Sequence, residues 1–134
     1  MIVVDSNIIV YFYLKGAQTS SAELVFDKDS QWCVPLLWRS EFRSAATQYI
    51  KEGTLTLENA IRSFDQAQDL LDKSEYQIQT KTVLELAVKS KLSSYDCEYV
   101  SLAKQLNIPL VTTDSDVLKA FPGIAVHPKD FIKA

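Results

Sequence analysis

Four acidic residues in this chain occupy positions where their carboxylates could act together: Asp5, Glu41, Asp96 and Asp114. Clustered carboxylates repel one another and raise one another's pKa unless a cation neutralises them. Oxygen ligands favour Mg²⁺ or Mn²⁺ over zinc, which prefers histidine and cysteine. A divalent ion in such a pocket can orient a phosphodiester and lower the pKa of a bound water. The chemistry that this set predicts is therefore metal-dependent hydrolysis of a phosphodiester.

The elements that must position these acids follow from the apolar pattern. Four short apolar runs predict strands at 2–4, 31–34, 110–112 and 124–126. Amphipathic stretches predict helices at 20–28, 37–51, 56–71, 80–89, 94–106 and 115–120. Short apolar strands separated by helices are typical of a parallel sheet that is covered on both faces. We therefore predict one three-layer α/β/α domain with a short central parallel sheet, spanning residues 1–134.

This architecture brings the four acids to one edge of the sheet. Ligands of open parallel sheets bind at the carboxyl ends of the strands. Asp5 and Asp114 each follow a predicted strand, and Asp96 lies in the first turn of a predicted helix. Glu41 lies about 60° from Trp38 on the helical wheel, beside the apolar stripe of its helix. We expect all four carboxylates to converge on one cleft.

Each acid also has a purely structural interpretation. Asp5 can begin a turn, and Asp96 is spaced from Ser93 as in a capping box. Asp114 can cap the helix that follows it, and Glu41 can be a solvated surface acid. These interpretations explain each acid alone but not why all four fall at one edge. A capping aspartate can also bind a metal, so the two interpretations are compatible.

Four segments, taken in order, resemble the motifs of PIN-domain ribonucleases of the kind that act as toxins in VapBC toxin–antitoxin pairs. They are 3–7 (VVDSN), 35–42 (PLLWRSEF), 92–103 (LSSYDCEYVSLA) and 107–114 (NIPLVTTD). The similarity extends from end to end, and the third and fourth segments together are the most specific. One departure is Cys97, where the family commonly has alanine. Both residues are small and suit a buried helix face.

The resemblance implies an α/β/α fold and a metal-dependent endoribonuclease, in which a metal-activated water attacks RNA. It implies these ligands of Mg²⁺ or Mn²⁺, directly or through water: Asp5, Glu41, Asp96 and Asp114. Asp116 is a further candidate for an outer ligand. Ser6 or Asn7 would hold the first acid or the substrate phosphate. The resemblance also implies a small antitoxin that wraps the toxin, and a toxin homodimer.

Several weaker expectations concern the surface. Arg39 and Arg43 share a helical face beside Glu41 and are candidate contacts for RNA phosphate, although a solvated face also explains them. Apolar residues of the N-terminal region are predicted to form a groove for a partner: Tyr11, Tyr13, Leu24 and Phe26. Charge complementarity predicts an antitoxin Arg or Lys near Asp5 and Asp96. Because the empty cleft is acidic, we also predict weak RNA affinity without metal.

Composition limits the other classes of function. The net charge of −3 is unlike that of a strongly basic nucleic-acid binder. The three glycines form neither a dinucleotide fingerprint nor a P-loop. Cys33 and Cys97 are too far apart for a metal knuckle and are expected to be reduced thiols in a cytoplasmic protein. No apolar run approaches the length of a membrane helix. His127, the only histidine, is expected to have a structural or surface role.

Three alternatives to a toxin stay open at this point. The first is an RNA-processing PIN nuclease outside a toxin–antitoxin pair. The second is a Mg²⁺-dependent phosphotransferase that uses the aspartate after the first strand, although Asn7 replaces the second acid that one such class carries. The third is a non-catalytic binding module in which the acids only cap helices.

Overall fold

The computed structural model describes residues 1–134 as a parallel sheet with helices on both faces. The strands are β1 (Ile2–Val4), β2 (Trp32–Pro35), β3 (Glu75–Tyr76), β4 (Leu110–Val111) and β5 (Ala125–Val126). The helices are α1 (Ser6–Tyr13), α2 (Thr19–Lys28), α3 (Trp38–Lys51), α4 (Leu57–Leu71), α5 (Thr80–Lys89), α6 (Ser94–Leu106), α7 (Ser115–Ala120) and α8 (Pro128–Lys133). All neighbouring strands are parallel, in the order β3-β2-β1-β4-β5. The predicted α/β/α class is confirmed.

The two faces of the sheet contribute to two separate cores. Side chains alternate along a strand, so Ile2 and Val4 pack into the core on one face and Val3 packs into the core on the other. The first core includes residues of α1 to α4, and the second includes residues of α5 to α7. Burial on both faces explains why the strands consist of apolar runs without polar alternation.

Three elements are absent from the sequence-based prediction: helices α1 and α8, and strand β3, which brings the sheet from the four predicted strands to five. Helix α1 is apolar on most sides because it buries Ile8, Ile9 and Val10, so its sequence lacks a polar face. Strand β3 has two residues, neither of them fully buried, and gives no apolar run. Helix α8 is a single short segment that begins at Pro128. The other helix boundaries agree with the prediction to within one residue.

Part of the predicted partner groove is not exposed. Phe26 packs against Phe12 and Trp32, and Tyr11 and Tyr13 are partly buried against the same core. Of the four residues predicted to form the groove, Leu24 alone is exposed, with 51% of its surface accessible. The expected exposure is wrong for Tyr11, Tyr13 and Phe26, because the aromatic side chains of α1 and α2 pack against the core. The groove itself stays a prediction. No helix combines the length and the apolar character needed to cross a membrane.

Candidate metal centre

Asp5 lies at the junction of β1 and α1, where its backbone and side chain are both held by β4 and its continuation. Its backbone N–H donates to the carbonyl of Val111 at 3.0 Å. The Thr112 hydroxyl donates to Asp5 Oδ2 at 2.7 Å, and the Ser6 hydroxyl makes a longer contact of 3.4 Å to Oδ1. Asp5 is the N-cap residue of α1, but its carboxylate accepts no capping hydrogen bond. The carboxylate is therefore positioned mainly by Thr112 at the sheet edge, with a longer contact from Ser6 at the start of α1.

Thr112 connects the two acids that follow strands β1 and β4. It is fully buried, and its hydroxyl oxygen accepts a hydrogen bond from the Asp114 backbone N–H at 3.0 Å while the hydroxyl donates to Asp5. Asp114 Oδ1 in turn caps α7 by accepting from the N–H groups of Asp116 and Val117 at 2.9 and 3.3 Å. The capping role expected for Asp114 is thus present. It uses one of the two carboxylate oxygens.

Glu41 lies in the first turn of α3 and is held by a tyrosine of α6. The Tyr99 hydroxyl donates to Glu41 Oε1 at 2.6 Å. Tyr99 is buried, so its hydroxyl is removed from water and the carboxylate takes the place of water as its hydrogen-bond partner. The contact joins residues that are 58 positions apart and fixes α3 relative to α6 at the level of the acids.

Asp96 completes the group from the first turn of α6. Its backbone N–H donates to the Ser93 hydroxyl oxygen at 3.1 Å, so Ser93 is the N-cap residue that the capping-box spacing indicates. The Asp96 side chain is half-buried on the same turn. The structural interpretation therefore explains the start of α6 and leaves the Asp96 carboxylate near the other acids.

Burial and mutual repulsion both act on these carboxylates. Burial raises the pKa of Asp5, the Thr112 hydrogen bond opposes this, and the charges of Asp96 and Asp114 raise it further. Burial likewise raises the pKa of Glu41, against the Tyr99 hydrogen bond and together with the charge of Asp5. The pKa of Asp96 is raised by burial, with contributions from Asp114 and Asp116. The acids thus share one electrostatic environment, and none of them forms a salt bridge with a lysine or arginine.

The donor set fits a hard divalent cation in its chemistry. Every candidate ligand is a carboxylate oxygen, the type that Mg²⁺ and Mn²⁺ prefer, and the group carries excess negative charge. No three acidic, histidine or cysteine side chains lie close enough together to form a ready-made coordination shell. The predicted convergence on one edge is therefore present as a shared environment and not as a closed cage.

A comparison with protein-family models gives a match to the PIN domain over residues 2–123. The chain belongs to the PIN-domain family. A comparison with curated protein sequences gives no match. The predicted resemblance to the PIN family is confirmed by this match.

Solved structures share the fold at low sequence identity. PAE2754 from Pyrobaculum aerophilum has a TM-score of 0.78 at 18% identity, with 98% of this chain and 93% of that chain covered. A toxin–antitoxin complex from Klebsiella pneumoniae gives 0.69 at 18% identity, with 96% and 98% covered. FitAcB from Neisseria gonorrhoeae gives 0.71 at 14% identity, with 96% and 99% covered. These similarities extend over nearly the whole PIN domain.

The two arginines predicted to contact RNA both have partners within this PIN domain. Arg39 forms a bidentate pair with Glu75, with Nε–Oε2 and Nη2–Oε1 distances of 2.7 and 2.6 Å. The guanidinium of Arg43 lies 5.0 Å from the centre of the Phe64 ring. Both side chains are thus occupied in holding secondary elements together, and their contact with RNA stays a prediction.

Ser6 is buried against the Asp5 carboxylate, whereas Asn7 is exposed beside it. His127 caps α8 by accepting at Nδ1 from the Lys129 backbone N–H, which confirms its structural role.

The sequence reasoning missed two residues that position the acids, Tyr99 and Thr112. Both lie inside the motif segments, and Thr112 has the only polar side chain in its predicted strand. The signal available for Thr112 was a hydroxyl at the end of a buried strand, where an unpaired polar group would be costly. Tyr99 gave a weaker signal, because a tyrosine on the buried face of a helix is also an ordinary core residue.

Proposed function

We propose that this PIN domain is a Mg²⁺- or Mn²⁺-dependent endoribonuclease and the toxin of a type II toxin–antitoxin pair. The observation that carries the proposal is the shared environment of Asp5, Glu41, Asp96 and Asp114 at the carboxyl edge of the sheet. Burial and mutual repulsion raise the pKa values of three of these acids, which is unfavourable in a purely structural cluster. Membership of the PIN family supports this interpretation of the acids.

The four carboxylates would hold the ion directly or through water, with Asp116 as an outer ligand. When bound, the ion would neutralise phosphate charge and supply an activated water for hydrolysis of the RNA phosphodiester. Thr112 and Ser6 orient Asp5, and Tyr99 orients Glu41. We assign Ser6 or Asn7 to the substrate phosphate or the first acid. Arg43, which is exposed, is a further candidate for contact with RNA; Arg39 is the weaker of the two because Glu75 engages its guanidinium.

The proposed partner is a small antitoxin that places an Arg or Lys near Asp5 and Asp96. Support comes from the fold shared with the Klebsiella pneumoniae toxin–antitoxin complex and from the uncompensated negative charge of the site. We also propose a homodimer and a cytoplasmic location. A structure of the complex with only apolar or acidic antitoxin residues at the two aspartates would contradict the partner assignment.

The deciding experiment is cleavage of total cellular RNA by the purified protein in Mn²⁺ or Mg²⁺. An EDTA sample and the Asp96→Asn variant serve as controls, and we expect discrete cleavage that disappears in both. Cleavage that persists in Asp96→Asn would contradict the assignment of that carboxylate. If neither cleavage nor a metal-dependent change in melting temperature is observed, the nuclease proposal fails and a binding module replaces it.

A further inference from the structure

Beside the acidic edge lies a cleft of about 770 Å³ that is lined by three lysines. Lys89 ends α5, Lys91 lies between α5 and α6, and Lys119 lies in α7. Asp116 lines the same cleft, and its charge acts on Asp96. The cleft therefore adjoins the candidate metal centre on the side of β4 and α7. We name it the lysine cleft.

The three lysines of this cleft have no acidic partner in the structure. Its salt bridges involve the N-terminus, Arg39 and Lys81. Other cations are engaged elsewhere, such as Lys28, which contacts the Phe131 ring and nearby backbone carbonyls. Three lysines without a salt-bridge partner and one aspartate line the lysine cleft, which makes it a local positive region in a chain of net charge −3.

An anionic polymer that is cleaved at the acidic edge needs such a region. The carboxylates repel phosphates on both sides of the reacting bond, and the net charge of the chain gives no general attraction. Lysine ammonium groups on flexible stems suit phosphate oxygens as point charges and require no fixed geometry. This argument rests on the proposed function, since it takes the substrate to be RNA.

We propose that Lys89, Lys91 and Lys119 bind the phosphate backbone of the RNA substrate next to the bond that is cleaved. These lysines position substrate and take no part in the chemistry. Their removal is therefore expected to raise KM while kcat stays within about twofold. Each phosphate contact of a single strand contributes about 0.7 to the slope of log affinity against log salt. Loss of three contacts is therefore expected to reduce the magnitude of this slope by about 2.

The test compares two triple variants that remove the same charge. The first changes the cleft: Lys89→Gln, Lys91→Gln and Lys119→Gln. The control changes three exposed lysines that do not line the cleft: Lys51→Gln, Lys73→Gln and Lys104→Gln. All six positions are exposed, so both variants are expected to fold, and thermal melting checks this. A general effect of net charge would change both variants equally.

Binding and cleavage are measured separately. Binding uses a fluorescein-labelled single-stranded RNA and anisotropy over a range of NaCl concentrations, with Asp96→Asn in every sample so that the RNA is not consumed. Cleavage kinetics use the same variants without that change. We expect the cleft variant to lose about tenfold in affinity at low salt and to show the smaller slope, with the control close to the parent.

The outcomes separate this inference from the proposed function. Equal losses in both triple variants, or unchanged RNA binding in the cleft variant, overturn the role of the lysine cleft; the second result points to an acidic protein segment as its occupant. No measurable RNA binding by the Asp96→Asn parent at low salt with Mn²⁺ present also overturns it. Lysine-dependent RNA binding without cleavage in Mn²⁺ overturns the nuclease proposal alone and supports the lysine cleft.

Discussion

Two sets of charged side chains near the same edge of the sheet differ in how their charge is balanced: the Arg39–Glu75 pair and the acids around Asp5. Glu75 is nearly buried, with 7% of its side chain exposed, and receives both Arg39 and the Trp38 indole N–H. The hydrogen bonds from Arg39 hold its pKa below the ordinary value. Asp5, in contrast, shares its environment with Asp96 and Asp114, and its pKa is raised by burial and by their charges. Glu75 is neutralised by Arg39, whereas Asp5 has no basic side chain paired with it.

The difference indicates which of the two groups is structural. A buried carboxylate with a bidentate arginine is satisfied by the chain itself and holds α3 against β3. Carboxylates that share a site without a cation are under electrostatic strain, which a ligand of positive charge can relieve. Perturbed acids in a cleft are candidates for function on this physical ground. The predictions below test whether the two groups respond in opposite directions.

The largest effect is expected from Asp5→Asn. The amide keeps the size of the side chain and can still accept from Thr112, but it removes one charge from the acid group. RNA cleavage is expected to fall by about 100-fold or more, because loss of even an outer-shell partner of a metal commonly costs 10–100-fold. The melting temperature of the metal-free protein at pH 7 is expected to rise by a few degrees, since ionised Asp5 is unfavourable in the folded state.

Asp65→Asn is the matched control for that variant, since Asp65 is an exposed acid of α4. It should leave both cleavage and melting temperature unchanged. A metal-free Asp5→Asn protein that melts lower than the parent would show that Asp5 is a stabilising structural residue. That result would remove the contrast with Glu75.

Added Mn²⁺ or Mg²⁺ provides the next largest effect. An ion that binds only the folded state stabilises it by about 2.7 kcal/mol at a concentration one hundred times its Kd. The melting temperature of the parent is therefore expected to rise with metal, and that of Asp96→Asn to rise much less. Differential scanning calorimetry at several metal concentrations measures this. A Ca²⁺-, Mg²⁺- and Mn²⁺-independent melting temperature in the parent would refute a divalent-metal site.

Glu75→Gln tests the Arg39–Glu75 pair. Loss of charge-assisted bonds to Arg39 is expected to lower the free energy of unfolding by about 2 kcal/mol at pH 7. Because the pKa of Glu75 is lower in the folded state, its contribution is present above the ordinary value of 4.5 and is lost as pH falls through the lower folded value. Urea titrations at pH 7 and pH 3 should show the difference between parent and variant shrinking. RNA cleavage should be retained, and its loss would place this pair in the site.

The acids at the sheet edge could be predicted from the sequence, whereas the Arg39–Glu75 pair could not. Asp5 and Asp114 follow apolar strands, and Ser93 and Asp96 have capping-box spacing, so local sequence was sufficient to place the acids at one edge. The Arg39–Glu75 pair joins residues 36 positions apart through a two-residue strand that has no periodic signal. Only the folded chain shows that this arginine already has a partner.

The hydrogen bonds that hold the acids were unpredictable for the same reason. Thr112 and Asp5 are 107 positions apart, and Tyr99 and Glu41 are 58 apart. Pairing at such distances depends on strand order and helix packing, which apolar periodicity does not determine. Helix α1 adds a second lesson, because a helix buried on most sides loses the amphipathic pattern by which helices are recognised.

The smallest expected effect tests one of those unpredicted contacts. Tyr99→Phe removes the hydroxyl that donates to Glu41 at 2.6 Å, so the carboxylate loses this restraint on its orientation while the ring still fills the core. Cleavage is expected to fall about tenfold and the Mn²⁺ concentration for half-maximal cleavage to rise, as for other outer-shell partners of metal ligands. Calorimetric titration of Mn²⁺ in the absence of RNA should show the same weakening. Tyr95→Phe, at a tyrosine that is 61% exposed on the same helix, should change neither quantity. If Tyr99→Phe lowers only the melting temperature, Tyr99 is a core residue whose hydroxyl happens to meet Glu41, and the acid group positions itself without it.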